Sequence, residues 1–189
     1  MMGQTETLAR LVKKLGDARI PYMISGSLAS SLHGEPRATN DIDVIISPTA
    51  AQLENFLQSL GDDYYASPDA AQEALRYRRI FNIIDQQTGI KADLVIRKDR
   101  PFSREEFTRR KPVELLGIKV FVLTSEDAIL SKLEWSKSGE SERQFRDALG
   151  VAAVQWENLD RDYLRKWARE LNVEELLDRL LDKAARLQP

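Results

Sequence analysis

The sequence predicts an α/β (α+β) protein, with a mixed central sheet flanked by helices and a helical C-terminal subdomain. Three observations carry this. Short apolar runs with strand character, such as Asp41–Ile46 (DIDVII) and Ile90–Ile96, alternate with amphipathic segments in the first part of the chain. Two pairs of such runs are separated by turn sequences, Gln-Gln-Thr-Gly and one at Gly117. From Ser125 onward only helical periodicity is found.

The elements follow in order. Leu8, Leu11, Val12 and Leu15 share one face, so Thr5–Arg19 reads as an amphipathic helix capped by Thr5. Tyr22–Ser25 is a short buried strand, Gly26-Ser27 a turn, and Leu28–His33 a short helix. Gly34–Asn40 is a polar loop that leads into strand Asp41–Ile46. A helix over Thr49–Leu60, a strand at Tyr64-Tyr65 and a helix over Asp69–Arg78 come next. Ile80–Ile84 and Ile90–Ile96 form a hairpin; after the helix Phe102–Arg110, Val113–Leu115 and Ile118–Leu123 form a second one. Helices are expected over Glu126–Ser136, Glu142–Trp156, Asp160–Leu171 and Val173–Leu187. The boundary falls near Thr124, giving residues 1–124 as core and 125–189 as subdomain, either as two parts or as one packed unit.

Composition narrows the chemistry. The chain has 189 residues, no cysteine and one histidine, which excludes disulfides, thiolate metal sites and a multi-histidine centre within one chain. A metal would be held by oxygen ligands, which favours Mg²⁺, Mn²⁺ or Ca²⁺. A formal net charge of -2 argues against a general polycation. No apolar run has the length of a membrane span and residues 1–10 lack a signal-peptide core, so a cytoplasmic protein is expected.

The sharpest feature is Gly26-Ser27, a helix, then Asp41-Ile42-Asp43. Alternation along a strand places Asp41 and Asp43 on one face and Ile42 and Val44 on the other. Two carboxylates on one face repel each other and are costly unless a cation lies between them. Asp93 occupies the same setting in a later apolar strand, and three such carboxylates suit Mg²⁺ (or Mn²⁺) with substrate phosphate oxygens. A glycine at a helix N-terminus lets backbone amides meet a triphosphate, and the Ser27 hydroxyl can donate to it. Taken singly, Gly26 is a turn residue, Asp41 a strand-end cap and Asp43 a surface carboxylate; their order along the chain is what is specific.

The run GSLASSLHGEPRATNDIDVII resembles the signature of the polymerase-beta-like nucleotidyltransferase superfamily. Its RATNDID segment, Arg37–Asp43, is similar to the AbiEii-type toxin nucleotidyltransferases and related small families. That resemblance spans roughly Tyr22–Leu149 and implies a nucleotidyltransferase fold in which Asp41, Asp43 and Asp93 are catalytic and bind metal. It implies that Lys132 contacts nucleotide phosphates and that Asp147 helps organise the site, alongside Gly26 and Ser27; Arg37, four positions before Asp41 in the loop, is read either as a phosphate or RNA contact or as a solvated loop arginine. It also suggests an acceptor such as RNA or the tRNA 3′ end, in a toxin–antitoxin setting with an antitoxin protein as partner. Two other readings stand beside it. One is a non-catalytic module of the same fold that binds a nucleotide or a partner; the other is an adenylyltransferase of a small hydroxyl compound.

Several residues keep bland readings. Lys132 borders an apolar face and could snorkel to water, and Asp147 could pair with Arg143 one turn back. His33 is read as a helix cap or packing residue rather than a base, and Trp135, Trp156 and Trp167 as core. The basic runs Arg76, Arg78, Arg79 and Arg109, Arg110, Lys111 are candidates for a nucleic-acid backbone or a solvated face.

Overall fold

The computed structural model describes residues 2–36, 39, 41–139 and 141–188. In chain order the elements are α1 (Met2–Asp17), β1 (Tyr22–Ile24), α2 (Gly26–His33), β2 (Ile42–Ile46), α3 (Ala50–Leu60), β3 (Tyr64–Ala66) and α4 (Pro68–Tyr77). Then come β4 (Ile80–Asp85), β5 (Lys91–Ile96), α5 (Pro101–Arg109), β6 (Lys111–Leu115), β7 (Ile118–Val122), α6 (Ser125–Gly139), α7 (Glu142–Val154), α8 (Arg161–Glu170) and α9 (Glu174–Ala185). Short 3₁₀ turns precede β3 and α8. Arg37 lies outside the described residues, so its expected nucleotide contact has no structural counterpart here.

The chain forms two compact units, Met1–Ser25 with Thr39–Val122, and Gly26–Ala38 with Leu123–Pro189. The first holds a mixed seven-stranded sheet in the order β3-β4-β5-β2-β1-β7-β6. β2 runs parallel to β5, and β1 parallel to β7; the other neighbours are antiparallel. One face of the central strands is apolar and buried: Ile42, Val44 and Ile46, beside Ala92, Leu94 and Ile96, beside Phe81 and Ile83. Leu8, Leu11 and Leu15 of α1, with Leu53 and Phe56 of α3, complete the buried core of this unit. The opposite pleat carries Asp43, Ile45, Asp93 and Val95, which are only half-buried. That difference between faces is what alternation requires when one side of a sheet is covered.

Local chemistry explains the helix starts. Thr49 accepts from the Gln52 amide while the Gln52 side chain accepts from the Thr49 amide, a reciprocal cap on α3. Ser67 caps α4 with Pro68 in the first turn. Against the sequence expectation, α1 begins at Met2, so Thr5 is inside the helix rather than its cap. Tertiary bonds hold the early turns: Gln4 Nε2 donates to the Thr39 carbonyl at 2.8 Å, and Thr7 Oγ1 donates to Asp85 at 2.9 Å.

The second unit is helical. α2 packs on α6 and α7, and α9 packs on α7 and α8. The expected boundary kept α2 with the sheet, whereas α2 groups with the C-terminal helices. Its fit there is close: a β-carbon on Gly34 would lie 2.8 Å from the Val151 amide nitrogen. His33 Nε2 donates to the Leu123 carbonyl at 2.7 Å, and Gln155 Nε2 donates to the His33 carbonyl at 2.9 Å. The histidine thus fastens α2, as the packing reading expected.

Candidate functional site

Asp43 and Asp93 are direct partners in the parallel pairing of β2 and β5. Neighbouring strands lie about 4.8 Å apart, so the two carboxylates leave the same face side by side. Asp41 precedes β2, two residues before Asp43, and its side chain is 57% exposed. The amide of Asp41 donates to Thr39 Oγ1 at 3.3 Å, which anchors the entry to the strand. On the far side of β5, Asn82 of β4 is the partner of Asp93. On the far side of β2, the Ser25 amide donates to the Asp43 carbonyl at 2.9 Å. A polar row therefore crosses the sheet: Asn82, Asp93, Asp43, Ser25.

Two of the carboxylates lie against a cation from their own chain. Lys91 Nζ donates to Asp93 Oδ2 at 2.9 Å and lies 4.0 Å from Asp41 Oδ1. The hydrogen bond to Asp93 raises its proton affinity; burial opposes this, and the fields of Asp93, Asp41 and Asp43 add to it, leaving Lys91 above the ordinary lysine range. All three carboxylates thus act on one ammonium. Among the described residues, no three His, Asp or Glu side chains are gathered closely enough to hold an ion as they stand. The donor set itself suits a hard cation: oxygen ligands only, two of them in register on adjacent strands. The sequence argument required a cation between Asp41 and Asp43 but overlooked Lys91. Its signal was available, because Lys91 stands two residues before Asp93 and shares its face.

The other expected site residues belong to the second unit. Gly26 opens α2 with φ +58°, a left-handed conformation that glycine adopts without strain. Ser27 follows in the first turn, half-buried. Lys132 on α6 and Asp147 on α7 meet at 2.9 Å, with side chains 9% and 11% exposed. The lysine is thus held in an ion pair rather than extended into water, and the aspartate has Lys132 as a partner across the helix pair. Trp167 is buried as expected, but Trp135 is 57% exposed on α6 and is a correction to its core assignment. Its position two residues beyond the buried Leu133 turns it off the apolar stripe. Trp156 is half-buried, under the Arg161 guanidinium at 4.1 Å from the ring centre.

No helix among the described residues is long and apolar enough to cross a membrane. No curated protein matches the chain in sequence. Solved structures do share its fold. The antibiotic-resistance factor ANT(2'')-Ia, in complex with adenylyl-2''-tobramycin, is 12% identical with a TM-score of 0.60, over 89% of this chain and 97% of that one. An antigenic nucleotidyltransferase-like protein from Paracoccidioides brasiliensis is 16% identical with a TM-score of 0.57, over 95% and 93%. The protein JHP933 from Helicobacter pylori is 17% identical with a TM-score of 0.55, over 98% and 90%. At such identities the likeness speaks for the fold, a nucleotidyltransferase fold, and not for a substrate. Family membership comes from the sequence itself: residues 3–175 match the family described as nucleotidyltransferase of unknown function (DUF6036), and the chain belongs to that family.

Proposed function

We propose that the chain transfers a nucleoside monophosphate from a nucleoside triphosphate to a hydroxyl acceptor, with Asp41, Asp43 and Asp93 holding Mg²⁺ or Mn²⁺. The observation that carries this reading is the in-register pair Asp43–Asp93 on parallel strands, with Asp41 two residues upstream of Asp43. A bound divalent ion would supply charge neutralisation for the triphosphate and for the leaving pyrophosphate. The chain's own part is positioning: β2 and β5 fix the two carboxylates, and the rigid sheet beneath them limits their reorganisation. Asp93, beside Asn82 on the half-open pleat, is the proposed acceptor of the hydroxyl proton. As the new P–O bond to the acceptor forms, the bond between the α- and β-phosphates breaks and pyrophosphate leaves. Nucleotide-binding roles for Gly26, Ser27, Lys132 and Asp147 are proposed on the family resemblance.

The acceptor proposed first is RNA, such as the tRNA 3′ end, in a toxin–antitoxin setting with a partner protein. It is supported by the AbiEii-type resemblance and by the exposed basic run Arg76, Arg78 and Arg79. The test is transfer from α-labelled nucleoside triphosphates, one at a time, with Mg²⁺ or Mn²⁺, to total RNA, to protein and to a panel of small hydroxyl compounds. Label in RNA that falls by at least about a hundredfold in Asp41→Ala and in Asp43→Ala supports the reading. Growth arrest on expression, relieved by Asp43→Ala, supports the toxin role. Label on a small molecule moves the acceptor, and triphosphate binding with no label in any acceptor leaves a binding module instead.

A further inference from the structure

Lys91 is a charged group at the carboxylates to which the transfer reaction gives no role. Its ammonium sits on Asp93 Oδ2 at 2.9 Å, with Asp41 Oδ1 at 4.0 Å. A divalent ion bound to Asp93 would take one of the two oxygens of that carboxylate at about 2.1 Å, which sets it within a few ångströms of the ammonium. Two cations on one carboxylate repel each other, so the ammonium and the metal compete for it. The lysine side chain is 40% exposed, so its flexible stem can carry the charge away to water without stranding it in an apolar place.

We propose that Lys91 is a tethered counter-ion that neutralises the carboxylates before metal arrives, yields to it on loading, and so sets the metal concentration at which the site fills. The inference rests on the metal-binding reading of Asp41, Asp43 and Asp93. Lys91 is a positioning residue in this scheme: it acts through the carboxylates and touches no reacting atom. A lysine suits the task better than an arginine. An ammonium is a point charge on a mobile stem, whereas a guanidinium fork would grip a carboxylate with two parallel bonds and release it less readily.

The test is Mn²⁺ binding to the full chain, by calorimetry, in the wild type and in Lys91→Gln, Lys91→Arg and Asp43→Ala. Thermal melts in EDTA and in Mn²⁺ accompany it. Lys91→Gln is expected to bind Mn²⁺ about tenfold more tightly, the factor given by about 1.4 kcal/mol of relieved repulsion. In EDTA at low salt it is expected to melt below the wild type, and to gain more from Mn²⁺ than the wild type does. Lys91→Arg, which keeps the charge, is expected to bind no more tightly than the wild type. A lysine with a merely structural role would lower the melting temperature and leave metal affinity unchanged or weaker, and that result overturns the proposal. Should Lys91→Gln not fold, tighter binding by Lys91→Arg overturns it and weaker binding supports it. Wild-type binding that disappears in Asp43→Ala while Lys91→Gln shows no gain defeats the Lys91 proposal alone. No binding by any of the folded proteins defeats the metal reading as well.

Discussion

Asp85 closes β4 with its carboxylate 1% exposed, and it is surrounded by donors. Arg10 pairs with it, Thr7 Oγ1 donates at 2.9 Å, and the amides of Gln87 and Thr88 donate at 3.0 and 3.2 Å. One carboxylate thus shapes the β4–β5 turn and ties α1 to it. Burial pushes its pKa up, but the bonds from Arg10, Thr7 and the two amides together pull it below the ordinary carboxylate range. A depressed folded pKa stabilises the protein above the unfolded value, about 3.9, and that contribution fades as pH falls through the folded value. Asp85→Asn is therefore expected to lower stability by about 3 kcal/mol at pH 7, with a gap to wild type that narrows only below about pH 4. Denaturant melts at a series of pH values check this; a gap that stays constant down to pH 3 contradicts it. Asp85 was not legible in the sequence. It ends an apolar strand beside a turn, as many solvent-facing aspartates do, and its buried partners come from α1 and from backbone amides. Asp43 and Asp93 were legible, because alternation alone fixes which face a strand residue takes.

Most elements were legible too, because apolar periodicity and caps are local. Thr49 with Gln52, Ser67 with Pro68, and Asp160, whose Oδ1 accepts from the Tyr163 amide at 2.9 Å, mark the starts of α3, α4 and α8 where the sequence placed them within a residue or so. Start positions failed where tertiary bonds decide, as at α1. α2 was read as a helix, but its partners were not read. Its eight residues include Ser27, Ser30 and Ser31 and present too short an apolar face to point to the helices that cover it. Gly34 at its end is what lets it approach α7. With an added β-carbon 2.8 Å from the Val151 nitrogen and 2.9 Å from the Gly150 carbonyl carbon, the two backbones would have to separate. Gly34→Ala is expected to cost about 2 kcal/mol, whereas Gly16→Ala, with open space around the added carbon, should cost nothing or stabilise α1. Melting temperatures of the two variants test the contrast, and equal values refute it.

At the scale of the whole molecule, the mixed sheet and the helical C-terminal part followed from the run of elements: strands among helices, then helices alone. The strand order did not follow. Sequence neighbours β6 and β7 pair, as do β4 and β5, but β5 beside β2 and β7 beside β1 are long-range parallel pairings. Only the pairing of β2 with β5 brings Asp93 next to Asp43, so the candidate site depends on a long-range feature of the fold. The division into units was also hidden, because the chain passes between them more than once: Gly26–Ala38 leaves the first unit early and Thr39 returns to it.

That early excursion has a consequence for how the protein is made. His33 bonds to groups 90 and 122 residues further along the chain. Synthesis at about 5–20 residues per second leaves α2 waiting roughly 5–25 s for them on the ribosome. During that interval its apolar side, Leu28 and Ala29, faces solvent or a chaperone. Ribosome-bound chains stalled shortly after Val122 should be cut by protease within Gly26–His33. Chains stalled far enough beyond Gln155 for that residue to have left the exit tunnel should be protected there. Protection at both lengths would mean that α2 finds cover sooner, and the order of assembly would then have to be redrawn around a transient partner for it.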